Sequence, residues 1–387
     1  MGKTCEKLKS YPLSRDVETN EITGYRYVHY GDIHKQVADI VTEDEQLPCI
    51  KAGDYEPLEQ GDLVLADASE DYKGIAEPCV ILHAPKDKII AGLHTIALRP
   101  QNTAPLYLYY LLHTDKFKMF GGQVGTGLKV FGITFNNLSL FETNIPPLPE
   151  QINIGNFFHT LDNLITLHKR KLDSLKQLKM GYLQNMFPQA GEHTPRIHFS
   201  GYKGDWGEKK LGKCLKEPTY AKVENPQGIE LLTVKLHGNG IVPAGKFPNS
   251  AENGRPYYKR NFGEILIGRQ NFHNGGIGIV GKNADGLIAS NAISSFVLLP
   301  NTDLHFIFQY ISRPIFQKRA EYLTGGTGQK EISVSTLKEL NLYVPTINEQ
   351  IAIGNFFHTL DEQITTQKTK LDKLKQLKTA YLQKMFI

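Results

Sequence analysis

Apolar residues recur at alternating intervals of four and three positions in two separate stretches of the chain. The first stretch runs from residue 161 to residue 186, and the second from residue 360 to residue 385. This spacing is the heptad pattern of a helix that buries one narrow seam against a partner helix. The predicted seams comprise Leu161, Ile165, His168, Leu172, Leu175, Lys179, Tyr182 and Met186 in the first helix, and Leu360, Ile364, Gln367, Leu371, Leu374, Lys378, Tyr381 and Met385 in the second.

Both stretches belong to one segment that occurs twice. Residues 150–187 return as residues 349–386, displaced by 199 positions without a gap, and about three quarters of the positions are identical. Pro149 fits the first turn of a helix, where its missing N–H costs nothing, and Pro188 is expected to end that helix. A helix of roughly 35 residues would be about 50 Å long and unstable as an isolated rod. Each helix therefore needs a partner, and the other copy is close by on the same chain.

We expect the helices to form an antiparallel intramolecular coiled coil with pseudo-two-fold symmetry, because each helix begins at its own globular segment. Two polar pairs at equivalent seam positions, His168 with Gln367 and Lys179 with Lys378, could fix the register at some cost in stability. An alternative interpretation is that these side chains extend to solvent from an imperfect seam. The sequence leaves both interpretations open.

Glycine recurs at the same early position of both helices, as Gly155 and Gly354. Inside a helix, glycine costs about 1 kcal/mol relative to alanine. Its presence in both copies predicts close contact between the helix backbone and a neighbouring element.

A mixed segment of roughly 150 residues precedes each helix, and the order of predicted elements is the same in both. Residues 61–65 and 263–267 each indicate a turn followed by a buried strand. Helix-like stretches follow at 105–120 and 303–323. The sequence thus predicts an α+β fold with a first mixed domain over 1–146, a helix over 147–188, a second mixed domain over 189–345 and a helix over 346–387.

Composition adds loose limits to this organisation. With 387 residues and 40% hydrophobic content, the chain can form two or three domains with their own cores. The formal charge of +4 favours an anionic partner only weakly. The four cysteines lack the spacing of a zinc site or a disulfide framework, and no apolar stretch predicts a membrane span or a signal peptide. A cytoplasmic protein is expected.

Short motifs flank the duplicated helices. They are the proline turns PLPEQ (147–151) and PTINEQ (345–350), the ending YLQNMF (182–187) and the opening of the second domain from PRIHF (195–199) to Trp206. With the duplication, these motifs resemble the specificity subunit of Type I restriction-modification enzymes over nearly the whole chain. Because Gly2-Lys3 corresponds to Gly212-Lys213, a counterpart of the residues up to Trp206 is expected to be missing from the first domain.

The resemblance implies a protein that catalyses nothing and decides where its partners act. In this family, two target-recognition domains each read one half of a bipartite site in double-stranded DNA. The paired helices set the gap between the half-sites and dock two methyltransferase subunits, and restriction subunits can join the complex. S-adenosylmethionine would be bound by the methyltransferase, so no cofactor and no metal are expected on this chain. Since the two mixed domains have diverged, an asymmetric site is expected.

Sequence-specific reading of DNA needs planar donors and acceptors near base edges and cations near phosphates. Clusters of such residues occur at corresponding places in both domains, although a solvated surface role is the simpler interpretation for any single one. The candidates are Arg26, His29, Tyr30, Lys35, Thr126 and Lys129 in the first domain, and Lys235, His237, Asn239, Lys259, Arg260, Arg269, Gln270, Asn271, Gln329 and Lys330 in the second. The strongest group is 269–271, because it follows a buried strand.

Catalytic motifs are weak by comparison. The glycine loop at 122–129 lacks a lysine directly after its second glycine, so a phosphate-binding loop is not indicated. The Asn-Pro-Pro-aromatic motif of amino-methyltransferases does not occur, so methyl transfer would belong to a partner. The alternative from another class is a coiled-coil structural adaptor that carries two protein-binding domains and has no DNA function. DNA affinity that falls steeply with salt would favour the DNA-binding interpretation.

Overall fold

The structure, a computed structural model, describes residues 1–2, 4–71, 74–127, 130–219, 222–248, 256–323 and 331–386. Its contacts divide the chain into two units. Unit 1 comprises Met1–Arg170 with Thr369–Ile387, and unit 2 comprises Lys171–Lys368. Each of the two long helices therefore contributes its first part to one unit and its last part to the other.

Unit 1 is a mixed unit in which a five-stranded sheet packs against short helices. The strand order of that sheet is β1-β8-β4-β6-β3, while β2 pairs with β7 and β5 pairs with β9. The elements before the long helix are β1 (Cys5–Lys7), β2 (Tyr25–Val28), α1 (Tyr30–His34), β3 (Ile40–Val41), β4 (Leu63–Ala66), β5 (Ala68–Ser69), β6 (Pro78–Ile81), β7 (Lys88–Ala91), β8 (Thr95–Pro100), α2 (Pro105–Leu111), α3 (Asp115–Val124), β9 (Phe131–Gly132) and α4 (Phe135–Ser139).

Unit 2 repeats this plan with a smaller central sheet. Its strand order is β11-β18-β15-β16, and three further pairs are β10 with β19, β12 with β13 and β14 with β17. The elements are β10 (Gly207–Lys210), β11 (Leu215–Lys216), β12 (Leu232–Val234), β13 (Ile241–Pro243), β14 (Tyr257–Lys259), β15 (Ile265–Gly268), β16 (Ile277–Ile279), β17 (Ile288–Ser290), β18 (Ile293–Leu298), α6 (Leu304–Ser312), α7 (Pro314–Tyr322), α8 (Val334–Glu339) and β19 (Asn341–Val344).

The helix-like stretch of each unit is two helices rather than one. In unit 1 the break falls between α2 and α3, where the Thr114 hydroxyl accepts a hydrogen bond from the Phe117 N–H and caps the second helix. In unit 2 the break falls at Pro314, whose fixed φ suits the first position of a new helix. The predicted buried strands are present in both units, since every residue of β4 and the residues Ile265–Ile267 of β15 are fully buried.

The duplicated segments form two helices of 38 residues each, α5 (Leu148–Asn185) and α9 (Ile347–Lys384). In unit 1 the start of α5 packs against the end of α9: the rings of Phe157 and Tyr381 lie 5.4 Å apart, and Asp162 Oδ1 lies 2.6 Å from Lys378 Nζ. Residue numbers rise along one helix as they fall along the other. The predicted antiparallel pairing is therefore confirmed.

In unit 2 the same contacts recur with the roles of the helices exchanged. The rings of Phe356 and Tyr182 lie 4.9 Å apart, and Asp361 Oδ1 lies 2.5 Å from Lys179 Nζ. Each of these residues is displaced by 199 positions from its counterpart in unit 1. The two copies of the repeated sequence thus make equivalent contacts in the two units.

The seam lysines do not pair with each other, which is a correction to one of the two interpretations above. Lys179 binds Asp361 within unit 2, and Lys378 binds Asp162 within unit 1, because a carboxylate neutralises each ammonium group where two lysines would repel. The predicted seam positions are otherwise buried or partly buried. The exception is Tyr381, which is 39% exposed.

One phenylalanine in the first third of each long helix completes the core of the unit in which that helix begins. Phe158 is fully buried beside Tyr110 and Phe386, at ring distances of 5.2 and 5.7 Å. Its counterpart Phe357 is fully buried 5.7 Å from Phe187. Phe386, two residues beyond the end of α9, is therefore a core residue of unit 1, and Phe187, two residues beyond the end of α5, is a core residue of unit 2.

The paired glycines lie where the helices approach the preceding element closely. A Cβ atom on Gly155 would lie 2.8 Å from Leu106 Cβ and 2.9 Å from the Tyr107 nitrogen. A Cβ atom on Gly354 would lie 2.2 Å from an Asp303 oxygen and 3.0 Å from the Phe306 nitrogen. The neighbours are α2 and the start of α6, so the prediction of close backbone contact is confirmed.

Candidate nucleic-acid interface

In unit 2, the best sequence candidates follow the buried strand β15. The chain leaves the core at Gly268, makes a 3-10 turn over Arg269–Asn274 and reverses at Gly275, whose φ of +73° favours glycine. Phe272 points into the core of unit 2 and anchors the turn, whereas Gln270 and Asn271 are exposed. The turn thus presents two amide side chains on a fixed backbone.

A second turn lies against the first. It joins β12 to β13, and the Lys235 N–H donates to the Gly240 carbonyl at 2.9 Å. The His237 N–H donates to the Asn274 carbonyl at 2.8 Å, and the Gly238 N–H donates to the Gly275 carbonyl at 3.0 Å. We name residues 235–240 and 269–276 the paired-turn surface. It brings five exposed candidates onto adjoining turns: Lys235, His237, Asn239, Gln270 and Asn271.

Arg269 has a different role from the one expected of it. Its Nε lies 2.9 Å from a Glu331 carboxylate oxygen, and its carbonyl accepts a hydrogen bond from the Ile332 N–H at 3.2 Å. The side chain is only 28% exposed. Arg269 therefore ties the turn to the segment before α8 instead of projecting a free fork of donors.

Arg260 is a clear correction. It is 1% exposed, its Nη2 donates to the Ile293 carbonyl at 2.7 Å, and its guanidinium lies 5.8 Å from the centre of the Tyr258 ring. A side chain buried in this way serves the packing of unit 2 and cannot reach a DNA molecule outside it. Its neighbour Lys259, the last residue of β14, is exposed.

In unit 1, three candidates line a single cavity of about 890 Å³. His29 caps the short helix α1, and its Nδ1 accepts a hydrogen bond from the Gly31 N–H at 3.1 Å. The ring of Tyr30 lies 4.5 Å from that of His29 and 5.3 Å from that of His94. Lys35 follows the end of α1 and is exposed at the rim.

Arg26 lies outside this cavity and corrects a second expectation. Its Nε is 2.6 Å from Asp87 Oδ2, and its Nη1 donates to the Leu47 carbonyl at 2.6 Å. With 11% of its side chain exposed, the guanidinium joins β2 to two neighbouring loops. The residue holds the fold of unit 1 together and does not present donors to a ligand.

The cavity lining contains two cations, Arg15 and Lys35, and three acids, Glu70, Asp71 and Glu77. Arg15 lies 2.7 Å from Asp32 and 2.6 Å from Glu18; burial opposes its charge, but these two carboxylates raise its pKa. Burial and the nearby Arg15 lower the pKa of His29, so this imidazole is held neutral at physiological pH. Asp67 lies 3.3 Å from His94, and burial raises the pKa of that carboxyl group.

The remaining candidates belong to the two glycine loops. Thr126 is exposed, and its N–H donates to the Gly132 carbonyl at 3.0 Å. Gly132 pairs in turn with Ala68, which lines the cavity, so Thr126 lies beside the cavity of unit 1. Lys129, Gln329 and Lys330 lie outside the described residues.

Sequence reasoning missed Arg15, His34 and His94, which all line the cavity of unit 1. A signal existed for His34, which follows Tyr30 by four positions and therefore shares a face of α1. No such signal existed for the other two, because the fold brings them from distant loops. His94 even adopts a left-handed φ of 55°, which is unusual for a residue other than glycine.

Both surfaces offer hydrogen-bond donors and acceptors. Within the described residues, no group of three or more His, Cys, Asp or Glu side chains is placed to hold a metal ion. The same residues include no helix that is long and apolar enough to cross a membrane.

Known proteins with the same organisation exist. The chain is 22% identical over 370 residues to the putative type I restriction enzyme MjaX specificity subunit of Methanocaldococcus jannaschii, which covers 87% of this chain and 82% of that protein. It is 23% identical over 292 residues to the MjaVIII specificity subunit of the same organism, covering 70% of this chain and 67% of the relative.

The fold has a solved counterpart in the S subunit of a Type I restriction-modification system from M. genitalium. That structure covers 100% of this chain with a TM-score of 0.62 and 16% sequence identity, and 94% of its own chain is matched. The family profile described as the Type I restriction modification DNA specificity domain matches residues 50–177 and again residues 205–376. The chain therefore belongs to the family of Type I restriction-modification specificity subunits and carries two copies of its specificity domain.

Proposed function

We propose that the two mixed domains, over 1–146 and 189–345, are target-recognition domains that each read one half of a bipartite, asymmetric DNA site. The observation that carries this proposal is the paired-turn surface of unit 2. It holds a lysine, a histidine and three amide side chains, all exposed, on two turns that are bonded together through their backbones.

These side chains suit base reading. An amide of Asn or Gln can donate and accept at once, which matches the N6 and N7 edge of adenine in the major groove. Lys235 and Lys259 are exposed cations in the same unit and would neutralise phosphates. Rigid turns position such groups better than mobile loops, because less conformational freedom is lost on binding.

Unit 1 supports the asymmetry. Where unit 2 offers amides, unit 1 offers Tyr30 and Lys35 at a cavity with mixed charge, while His29 is 6% exposed and caps α1. A tyrosine hydroxyl and a lysine ammonium group present different donors and acceptors from an amide. The two half-sites are therefore proposed to differ in sequence, and identical half-sites would contradict this part of the proposal.

The helix pair is proposed to set the gap between the half-sites and to dock two methyltransferase subunits, with restriction subunits joining the same complex. S-adenosylmethionine would be bound by the methyltransferase and catalysis would belong to the partners. At 1.5 Å per residue, a helix of 38 residues spans about 57 Å. Changing both helices by whole turns should alter the gap and leave the half-sites unchanged.

The test is to co-express the chain with the methyltransferase of the same system and to map methylated adenines in the host genome by long-read sequencing. A split motif with a constant gap is expected. The double variant Gln270→Ala/Asn271→Ala should relax one half of the motif, since each good bidentate contact contributes about 1–3 kcal/mol of discrimination. The half read by unit 1 is the internal control.

Two results would contradict the proposal. A stable complex that methylates no constant motif would favour a structural adaptor with two protein-binding domains. DNA affinity that does not change with salt would point the same way, because phosphate contacts release counterions and make binding steeply dependent on salt.

A further inference from the structure

In unit 2, a cavity of about 560 Å³ lies beside the start of α7. Residues 188–191, which follow the first long helix, form one part of its wall, and the α6–α7 region forms another. Most of the lining is apolar or aromatic, and it includes Tyr310, Ile315, Phe316 and Tyr343. Pockets of about 300–1,000 Å³ with mainly apolar walls are typical of sites that bind small molecules.

A buried arginine lines this cavity. Arg313 is 5% exposed, and its guanidinium lies 4.1 Å from the centre of the Tyr310 ring and 4.7 Å from that of the Phe187 ring. Its Nε donates to the Tyr310 carbonyl at 3.3 Å, and its Nη1 donates to the Pro188 carbonyl at 3.2 Å. Two rings and two carbonyl groups therefore hold the guanidinium in one position.

The described residues supply no acid to this guanidinium. Its hydrogen bonds use Nε and Nη1, so Nη2 has no partner in the described part of the chain, and this nitrogen is not sealed from solvent. Burial lowers the pKa of Arg313, but arginine remains protonated in proteins. Because a buried charge without an opposite charge is unfavourable, an anion from outside the chain would stabilise it.

The equivalent position in unit 1 has no arginine. A displacement of 199 positions pairs Arg313 with Thr114, and both residues are the N-caps of their helices. The Thr114 hydroxyl accepts a hydrogen bond from the Phe117 N–H, whereas the Arg313 side chain makes no such bond. Threonine is favoured at this position because it stabilises the start of a helix. The start of α7 therefore does not require an arginine.

Two further cations line the cavity. Lys318 and Arg319 are exposed there, and their counterparts in unit 1 are Met119 and Phe120. The one acid of the described lining, Glu208, is exposed and accepts a hydrogen bond from the Asn341 amide at 2.9 Å. The cavity thus combines apolar walls with an excess of positive charge that unit 1 does not share.

We propose that this cavity binds a small aromatic carboxylate. The carboxylate group accepts a hydrogen bond from Arg313 Nη2, and the ring packs among Tyr310, Phe316 and Tyr343. Hydrogen bonds between two charged groups are stronger than neutral ones, and edge or stacked contacts between rings add to the affinity. A single open guanidinium nitrogen in a mainly apolar cavity favours a singly charged group over a phosphate. This inference does not depend on how the domains read DNA.

The probe is 2-naphthoate, titrated into the full 387-residue chain while saturation-transfer NMR of the probe is recorded. Saturable binding with a dissociation constant of about 1 mM or lower is expected for a ligand of this size. The neutral analogue 2-naphthamide should bind at least about tenfold more weakly, because it cannot pair with the guanidinium. Acetate, which has the charge but not the ring, should show no saturable binding in the same range.

Protein variants locate the site. Arg313→Gln should remove the preference for naphthoate over naphthamide, whereas a purely structural role of the arginine would alter both ligands alike. Lys318→Met should weaken naphthoate by up to about fivefold, while Lys282→Met, an exposed lysine elsewhere in unit 2, should have no effect. Ala190→Trp fills the cavity from an exposed position and should abolish binding of both ligands.

Four outcomes would overturn the proposal. They are an absence of saturable naphthoate binding, equal affinity for naphthoate and naphthamide, a preference for naphthoate that Arg313→Gln retains, and full binding by a folded Ala190→Trp variant. The last variant decides the question if Arg313→Gln does not fold. Loss of naphthoate binding in the double variant Gln270→Ala/Asn271→Ala would also contradict it, because the ligand would then occupy the paired-turn surface.

Discussion

The two units match at the helix bases, where the start of one long helix packs against the end of the other. They differ at the proposed DNA-reading surfaces. At the bases, Asp162 with Lys378 and Asp361 with Lys179 form the same contact twice. At the surfaces, unit 2 has two bonded turns with amides and unit 1 has a cavity lined by rings. Close-packed cores tolerate few changes, whereas exposed turns tolerate many. The difference shows where each unit is constrained by its scaffold and where it is free to change its target.

The largest expected effect tests the matched part. Phe158→Ala and Phe357→Ala should each lower the free energy of unfolding of their own unit by about 3–5 kcal/mol, because both rings are fully buried in equivalent cores. Hydrogen exchange in β4 and β15 separates the two units. Ile152→Ala and Ile351→Ala are the exposed controls and should change little. A large effect in only one unit would show that the two cores are not equivalent.

A smaller effect concerns the aspartates of the helix bases. Asp162 accepts a hydrogen bond from the buried Tyr110 hydroxyl at 2.8 Å, and Asp361 accepts one from the buried Gln309 amide at 2.7 Å. Asp162→Ala and Asp361→Ala should each cost about 1–3 kcal/mol, since a buried donor is left without its acceptor. Denaturant unfolding followed in each unit by hydrogen exchange measures this cost.

The lysine partners provide the control for the aspartates. Lys378→Met and Lys179→Met remove only a partly exposed ion pair and should cost less than about 1 kcal/mol. If the lysine variants cost as much as the aspartate variants, charge and not the buried hydrogen bond would dominate the contact.

Glycine substitutions compare closely packed positions with an open position in the long helices. Gly155→Ala and Gly354→Ala should destabilise by about 1–2 kcal/mol, because overpacking against α2 or α6 exceeds the gain of about 1 kcal/mol in helix propensity. Gly181→Ala should stabilise by up to about 1 kcal/mol, since nothing lies within 4 Å of the added Cβ and its counterpart is already Ala380. Thermal unfolding of the three variants tests the order.

The smallest effect is specific to unit 2. His305 stacks on His358 with ring centres 4.0 Å apart, and burial and the facing His358 lower the pKa of His305 despite Asp303, Asp361 and Glu362 nearby. The folded state therefore binds fewer protons than the unfolded state, so stability falls as pH drops below the ordinary value of 6.5.

Unit 1 has Leu106 at the position of His305, so it lacks this pair of stacked imidazoles. The variant His305→Leu should flatten the acid dependence of unit 2. The unfolding temperature, read from the fluorescence of Trp206 at about pH 5.5 and about pH 7.5, measures the change. An unchanged pH dependence would show that His305 does not contribute to it.

The scaffold was predictable because its signals are local or repeated. The heptad spacing and the 199-residue displacement predicted two antiparallel helices, and the shared glycines predicted a close approach of the backbone. The partners of the seam lysines were not predictable in the same way. Asp162 and Asp361 lie beside the seam and not on it, so their pairing depends on the rotation of one helix against the other.

Candidate DNA-reading residues were predicted less well, for two physical reasons. Arg26 and Arg260 are charged and suggested exposure, but Arg26 meets Asp87 from 61 positions away, and Arg260 points inward while its strand neighbour Lys259 points outward. Contact between the two turns of unit 2 could not be foreseen, since backbone bonds between distant loops leave no pattern in the side chains.

The core of unit 1 has a consequence for the order in which the protein is made. Phe386 packs against Tyr107 at 5.0 Å and against Phe158, so the core of unit 1 is completed by residues that follow all of unit 2 in the sequence. Unit 2 is one uninterrupted stretch and has all its residues earlier. A nascent chain should therefore complete the core of unit 2 first, while unit 1 stays partly open until the residues around Phe386 have been synthesised.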